Sequence, residues 1–70
     1  MTDKIPVAEL KLKIAENIKK CNLNVSQLAQ MTDLTNAEML RIVQGIDLPS
    51  MEVLRKLSEK LDIPLSYFFE

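Results

Sequence analysis

Apolar residues recur along the chain at three- and four-residue intervals, the period of a helix with one buried face. Val7, Leu10, Ile14, Ile18 and Cys21 form the first such stripe. Pro6 suits the opening turn of that helix, because the N–H that proline lacks would have no intrahelical partner there. A first helix is therefore predicted from about Pro6 to Lys20, with residues 1–5 as a flexible arm.

Asn22-Leu23-Asn24 breaks the stripe. Asn24 with Gln27 three residues on has the form of a capping box, in which the Asn oxygen accepts a backbone N–H and the Gln side chain reaches back. A second helix is expected over about Val25 to Met31, burying Leu28 and Ala29. Thr35 with Glu38 repeats the box after a short turn, Thr32-Asp33-Leu34, that aims Leu34 at the core. A third helix follows over about Asn36 to Gln44, with Met39, Ile42 and Val43 inward.

Gly45 stands where a helix end favours a left-handed residue, and Pro49-Ser50 leads into the cap of a fourth helix from about Met51 to Leu61. Val53, Leu54, Leu57 and Leu61 form its inner face. Ile63-Pro64 opens a short fifth helix in which Leu65 and Phe68 close the core. The pattern thus gives a compact all-α domain of five helices, spanning residues 1–70, with no strand.

A 70-residue chain has room for one core, and a domain of this size buries only about 60% of the surface of its unfolded chain. A partner subunit would add stability. One cysteine and no histidine exclude an intrachain disulfide framework, a Cys/His zinc finger and a His-based catalytic site. Cys21 is expected as a packed thiol. No nucleophile stands beside a base and no glycine-rich phosphate loop occurs, so no catalysis, cofactor or metal is expected. No apolar run approaches the roughly 18 residues of a membrane span, and the first residues lack the layout of a secretory signal. A cytoplasmic protein is the expectation.

Charge complicates the picture. The net charge of −1 opposes phosphate binding, which draws on clustered Lys and Arg. Lys4, Lys11, Lys13, Lys19 and Lys20 give the first 20 residues a positive balance, whereas residues 24–49 carry only Arg41 against Asp33, Glu38 and Asp47.

The two central helices, capped and separated by about four turn residues, cannot lie antiparallel; they cross steeply and form a helix-turn-helix, with the second helix presenting one face outward. Leu28-Ala29, the turn Thr32-Asp33-Leu34-Thr35, Ile42, Gly45, Pro49-Ser50, Leu54, Leu61-Asp62-Ile63-Pro64-Leu65 and Phe68 stand in the order and spacing of a known pattern. Over residues 12 to 69 the chain resembles the lambda-repressor-like (Cro/CI, XRE) helix-turn-helix family. That family often pairs an Arg of helix 1 with a Glu at the end of helix 3, and the matching positions here are Ile18 and Val43. Exchange of both partners of a buried ion pair for packed hydrophobes is tolerated where loss of one is not, so the departure fits the alignment. Val25, Asp33 and Ile46-Asp47-Leu48 replace a common Gln, a common Gly and a frequently basic loop, and each change weakens phosphate contacts.

Carried over position by position, the resemblance implies base reading by Asn36, Ala37 and Arg41 with Leu40 beside them, and backbone contacts by Asn24 and Gln44; Thr35 joins them at the start of helix 3, where its capping box with Glu38 is also sufficient reason for it. Asn pairs with adenine, Arg with guanine and Ala with a thymine methyl. Tyr67 and Phe69 flank Phe68 on an element too short to bury all three, and the resemblance implies a dimer contact there. A two-fold dimer sets two recognition helices about 34 Å apart and reads a near-palindrome of double-stranded DNA. The leading expectation is thus a homodimeric, sequence-specific DNA-binding transcription regulator. The alternative is a protein-binding module on the same scaffold with weak or lost DNA binding, motivated by Asp33, Glu38, Ile46, Asp47 and Leu48 and by adaptable Met31 and Met51.

Overall fold

Three of the helices start where a side-chain oxygen takes over a backbone N–H that a first turn leaves unpaired. The computed structural model describes residues 7–70 and places α1 at Val7–Lys19, α2 at Val25–Thr32, α3 at Asn36–Val43 and α4 at Met51–Leu61, followed by a 3-10 turn at Leu65–Phe69. Both capping boxes form. Asn24 Oδ1 accepts the Gln27 N–H at 2.8 Å while the Asn24 N–H donates to Gln27 Oε1 at 3.0 Å. Thr35 Oγ1 accepts the Glu38 N–H at 3.1 Å while the Thr35 N–H donates to Glu38 Oε1 at 2.9 Å. Ser50 caps α4 through Val53 N–H at 3.2 Å.

The helices end on left-handed residues, Asn22, Asp33, Gly45 and Asp62, and Asn and Asp are the side chains that best tolerate that conformation without being glycine. After three of them the next N–H reaches back five residues: Leu34 to the Ala29 carbonyl, Ile46 to Arg41 and Ile63 to Ser58. This Schellman arrangement pairs carbonyls that the last turn would otherwise leave open.

Ile14 and Ile18 of α1, Leu28 and Ala29 of α2, Met39, Ile42 and Val43 of α3, Val53, Leu54 and Leu57 of α4, and Phe68 make one core. These are the inward positions of the periodicity, including the exchanged pair Ile18 and Val43. Leu10, Leu34, Leu61 and Leu65 pack on it from the rim. Cys21 is half-buried, its thiol directed at the Asn17 carbonyl at 3.7 Å, and burial raises its pKa.

Four expectations are corrected. The five helices are four plus a 3-10 turn, because the five residues after Pro64 are too few for an α-helix to propagate and close instead on i→i+3 bonds such as Tyr67 N–H to the Pro64 carbonyl. Pro64 precedes that turn as its cap instead of opening it from within. Val7 is 57% exposed, since α1 packs on α3 and the C-terminal turn through its later residues and its first turn passes beyond them. Helix ends shift by one residue, with Thr32 inside α2 and Gln44 just after α3. The Pro6 start, the arm at residues 1–5 and Lys4 lie outside the described residues.

One buried polar contact holds the C-terminal turn. Asn17, 4% exposed, donates through Nδ2 to the Phe68 carbonyl at 3.1 Å. Asn17→Ala leaves that buried carbonyl unpaired, which costs about 1–3 kcal/mol; thermal unfolding is expected to show the loss together with faster amide exchange in the last six residues. Gly45 has φ +78°, and a Cβ there would meet Leu12 Cδ2 at 2.8 Å. Leu12 is more than half exposed and can move, so the backbone conformation sets the penalty: Gly45→Ala is expected to destabilise by about 1–2 kcal/mol, read from urea midpoints.

Candidate nucleic-acid interface

α2 and α3 are joined by Asp33, Leu34 and Thr35, and the joint is tied from both sides. Buried Thr32 donates its hydroxyl to the Leu28 carbonyl at 2.9 Å, and the Leu34 N–H donates to the Ala29 carbonyl at 3.1 Å. Asn36 Nδ2 donates to Ser26 Oγ at 3.2 Å, which links the first turns of the two helices. With Met39, Ile42 and Val43 spent on the core, α3 has an outer face of Asn36, Ala37, Leu40 and Arg41, extended by Gln44.

Every residue expected to touch DNA is exposed: Asn24, Thr35, Asn36, Ala37, Leu40, Arg41 and Gln44. They stand on α3 and at the caps of α2 and α3. Several are already engaged. Asn24 and Thr35 give their oxygens to the helix caps, and the Thr35 hydroxyl also lies 3.2 Å from Glu38 Oε1. Leu40 puts 44% of its surface into solvent at the middle of the face.

Arg41 is not free. Its Nε and Nη2 donate to Asp47 Oδ2 and Oδ1 at 2.7 and 3.2 Å. The Ile46 and Asp47 N–H groups meanwhile donate to Arg41's own carbonyl at 2.9 and 3.3 Å. The hydrogen bond to Arg41 holds the Asp47 carboxyl below its ordinary range against an opposing effect of desolvation, with lesser help from the charges of Arg41 and Lys11, and the same hydrogen bond raises Arg41. The residue pattern gave Asp47 as an acid near Arg41 without the pairing. The signal was Gly45: a left-handed residue after α3 folds the chain back, so positions six apart become neighbours.

The other acids of the motif are partly engaged. Asp33 lies 3.3 Å from Lys56 Nζ, which also approaches Glu52 at 3.9 Å, but these pairs are exposed and contribute little. Beside α3, Lys11, Leu34, Glu38, Ile42, Asp47, Leu48, Pro49, Ser50 and Val53 line an open groove of about 510 Å³. Tyr67 and Phe69 are half-buried on either side of fully buried Phe68, with Tyr67 meeting Phe68 edge-on at 5.7 Å.

Two capped helices around a fixed turn, the second with an outer face unclaimed by the core, define a helix-turn-helix. The helix-turn-helix family model matches residues 14–68, and the chain belongs to that family, in its lambda-repressor-like (Cro/CI, XRE) form. The family is one of DNA-binding regulators and is generally non-enzymatic. No curated protein and no solved structure matches the chain. Among the described residues no helix is long and apolar enough to cross a membrane.

The Arg41–Asp47 pair gives a pH test. A carboxylate with a depressed folded-state pKa stabilises at pH above its unfolded value, and that contribution is lost as pH falls through the folded value. The pair is thus expected to stay closed at neutral pH and to open only below the usual carboxylate range. In a carboxyl NMR titration, Arg41→Ala should move the Asp47 midpoint upward while leaving the remaining effect of Lys11.

Proposed function

We propose that this chain is a cytoplasmic, homodimeric transcription regulator that reads a near-palindromic DNA site with α3 in the major groove. The observation that carries the proposal is the outer face of α3, where Asn36, Ala37, Leu40 and Arg41 stand exposed, with Gln44 just beyond the helix end, while the opposite face is locked in the core. Such a helix fits the major groove, with the preceding helix braced on phosphates. Asn36 suits adenine, Arg41 guanine, and Ala37 with Leu40 the methyl of thymine. Asn24, Thr35 and Gln44 border this face and suit sugar and phosphate contacts. Tyr67 and Phe69, half-buried at the chain end, supply the dimer contact; a two-fold pair sets its recognition helices about one DNA turn apart.

A second reading has its own support. Leu12, Ile46, Leu48 and Met51 are each at least 43% exposed near the α3–α4 loop, beside the groove. Clustered exposed apolar residues mark protein contacts, so the same scaffold could serve a protein partner in place of DNA.

Selection of the purified protein against a random duplex pool at two salt concentrations separates these readings. Enrichment of a near-palindrome, with affinity falling steeply as salt rises, is the expected result. Arg41→Ala should then cost about 1–3 kcal/mol and relax the preference at one base pair per half-site. Failure to retain any duplex at low salt would remove the regulator reading.

A further inference from the structure

We propose that Asp47 is a positioning residue for base recognition, holding Arg41 so that the end of its guanidinium, and not its charge, meets the DNA. The inference rests on the DNA-binding reading of α3 and concerns how that surface chooses a base over a phosphate.

The geometry starts with the backbone. Gly45 turns the chain back over the last turn of α3, and the N–H groups of Ile46 and Asp47 both close on the Arg41 carbonyl at 2.9 and 3.3 Å. This places the Asp47 carboxylate alongside the Arg41 side chain, with Lys11 of α1 adding a second positive charge that acts on Asp47. The side chains then pair side-on, Nε with Oδ2 at 2.7 Å and Nη2 with Oδ1 at 3.2 Å.

A guanidinium carries five N–H donors in a rigid plane. Side-on pairing consumes two of them and leaves three, among them one on each terminal nitrogen, which point away along the axis of the side chain. Those two are the pair that matches guanine O6 and N7. Asp47 therefore blocks the edge of Arg41 that the recognition of guanine does not require. Although the pair is about half exposed, its two-point geometry favours one orientation of a long, flexible side chain in advance, which lowers the entropy lost on binding.

The same pairing weakens the competing use of Arg41. A free Arg is attracted by every phosphate, and each phosphate neutralised adds about 0.9 to the slope of log affinity against log salt. With a carboxylate beside it, Arg41 brings almost no net charge to the backbone, and Asp47 itself is repelled by phosphates. Arg41 is the one cation between residues 24 and 49, and Lys11 of α1 is a further positive charge acting on Asp47, so this pair sets the balance between reading and adhesion on α3 itself.

Two effects of opposite sign follow from removing the carboxylate. In Asp47→Ala, affinity for unrelated duplex should rise several-fold and the salt slope should steepen by about one, while preference for guanine at the Arg41 position falls by at least about fivefold. Asp47→Asn removes the charge without changing the shape and should steepen the slope equally. Asp47→Ala on an Arg41→Ala background should change selectivity no further. Far-UV circular dichroism and thermal midpoints verify the fold, since the backbone bonds to the Arg41 carbonyl remain.

The comparison uses the full chain, the duplex selected by the wild type and one unrelated duplex. If the wild type selects a site and Asp47→Ala keeps the same base preference, the positioning role is wrong although the DNA reading stands. A rise in affinity for both duplexes by the same factor would likewise overturn it, leaving Asp47 as a simple counter-charge. If no variant and no wild type binds duplex at low salt, the DNA reading fails and the positioning role falls with it.

Discussion

Short helices connected by short turns can share one core only if each ends sharply, and this constraint governs the molecule. α2 and α3 are eight residues each, below the length at which an isolated helix persists in water. Their ends are fixed by single left-handed residues. Asp33 turns α2 into α3 and so sets the helix-turn-helix, Gly45 turns α3 back and brings Asp47 to Arg41, and Asp62 turns α4 toward the final aromatic turn. Each stop is a backbone event of one residue, and each positions a different part of the surface.

The core converts these turns into a rigid scaffold. Ile18 and Val43, the positions where the family resemblance implies an ion pair, are both apolar and buried, so α1 and α3 meet through packing that needs no desolvated charge. Among the described residues two polar side chains are buried, Thr32 at the end of α2 and Asn17 in α1. Asn17 is almost wholly enclosed and spends its amide on the Phe68 carbonyl, a group that a 3-10 turn of five residues leaves without a helical partner. The C-terminal turn is therefore held by Phe68 in the core and by one hydrogen bond behind it, with Tyr67 and Phe69 half-buried against the core on either side.

Helix starts were legible in the sequence because their causes are local: Asn24 with Gln27, Thr35 with Glu38, and Ser50 ahead of Met51 carry cap and partner within four residues. Ends were less legible. Gly45 announces a left-handed position, whereas Asn22, Asp33 and Asp62 are types that also serve in caps and on exposed faces, so their role depends on where the chain must go next. The stripe on α1 gave Ile14 and Ile18 correctly and Val7 wrongly, because periodicity defines a face without telling how far the opposing element extends. The outer face of α3 was legible only as the remainder after Met39, Ile42 and Val43 were assigned inward; its base-reading roles came from resemblance. The Arg41–Asp47 pair lay beyond a pattern reading because six positions apart is not a helical neighbour distance until a turn folds the chain.

That pair also changes the weight of the acidic composition. A chain with net charge −1 and one cation in its motif looks unsuited to a polyanion if charges are counted singly. In the folded molecule Asp47 is bound to Arg41, Asp33 faces Lys56, and the Glu38 carboxylate sits at the start of α3, accepting the Thr35 N–H where the helix dipole is positive. Of these acids only Asp47 is closely paired with a cation on the outer face; the Asp33–Lys56 contact is exposed and weak, and Glu38 keeps its charge at the helix cap. A surface with one cation, itself paired, has little general attraction for phosphates. On the proposed DNA-binding reading, affinity would therefore have to come from fitted contacts at the outer face of α3 and from a second copy, so that discrimination between base pairs and weak non-specific holding would share one cause, the pairing of Arg41 with Asp47.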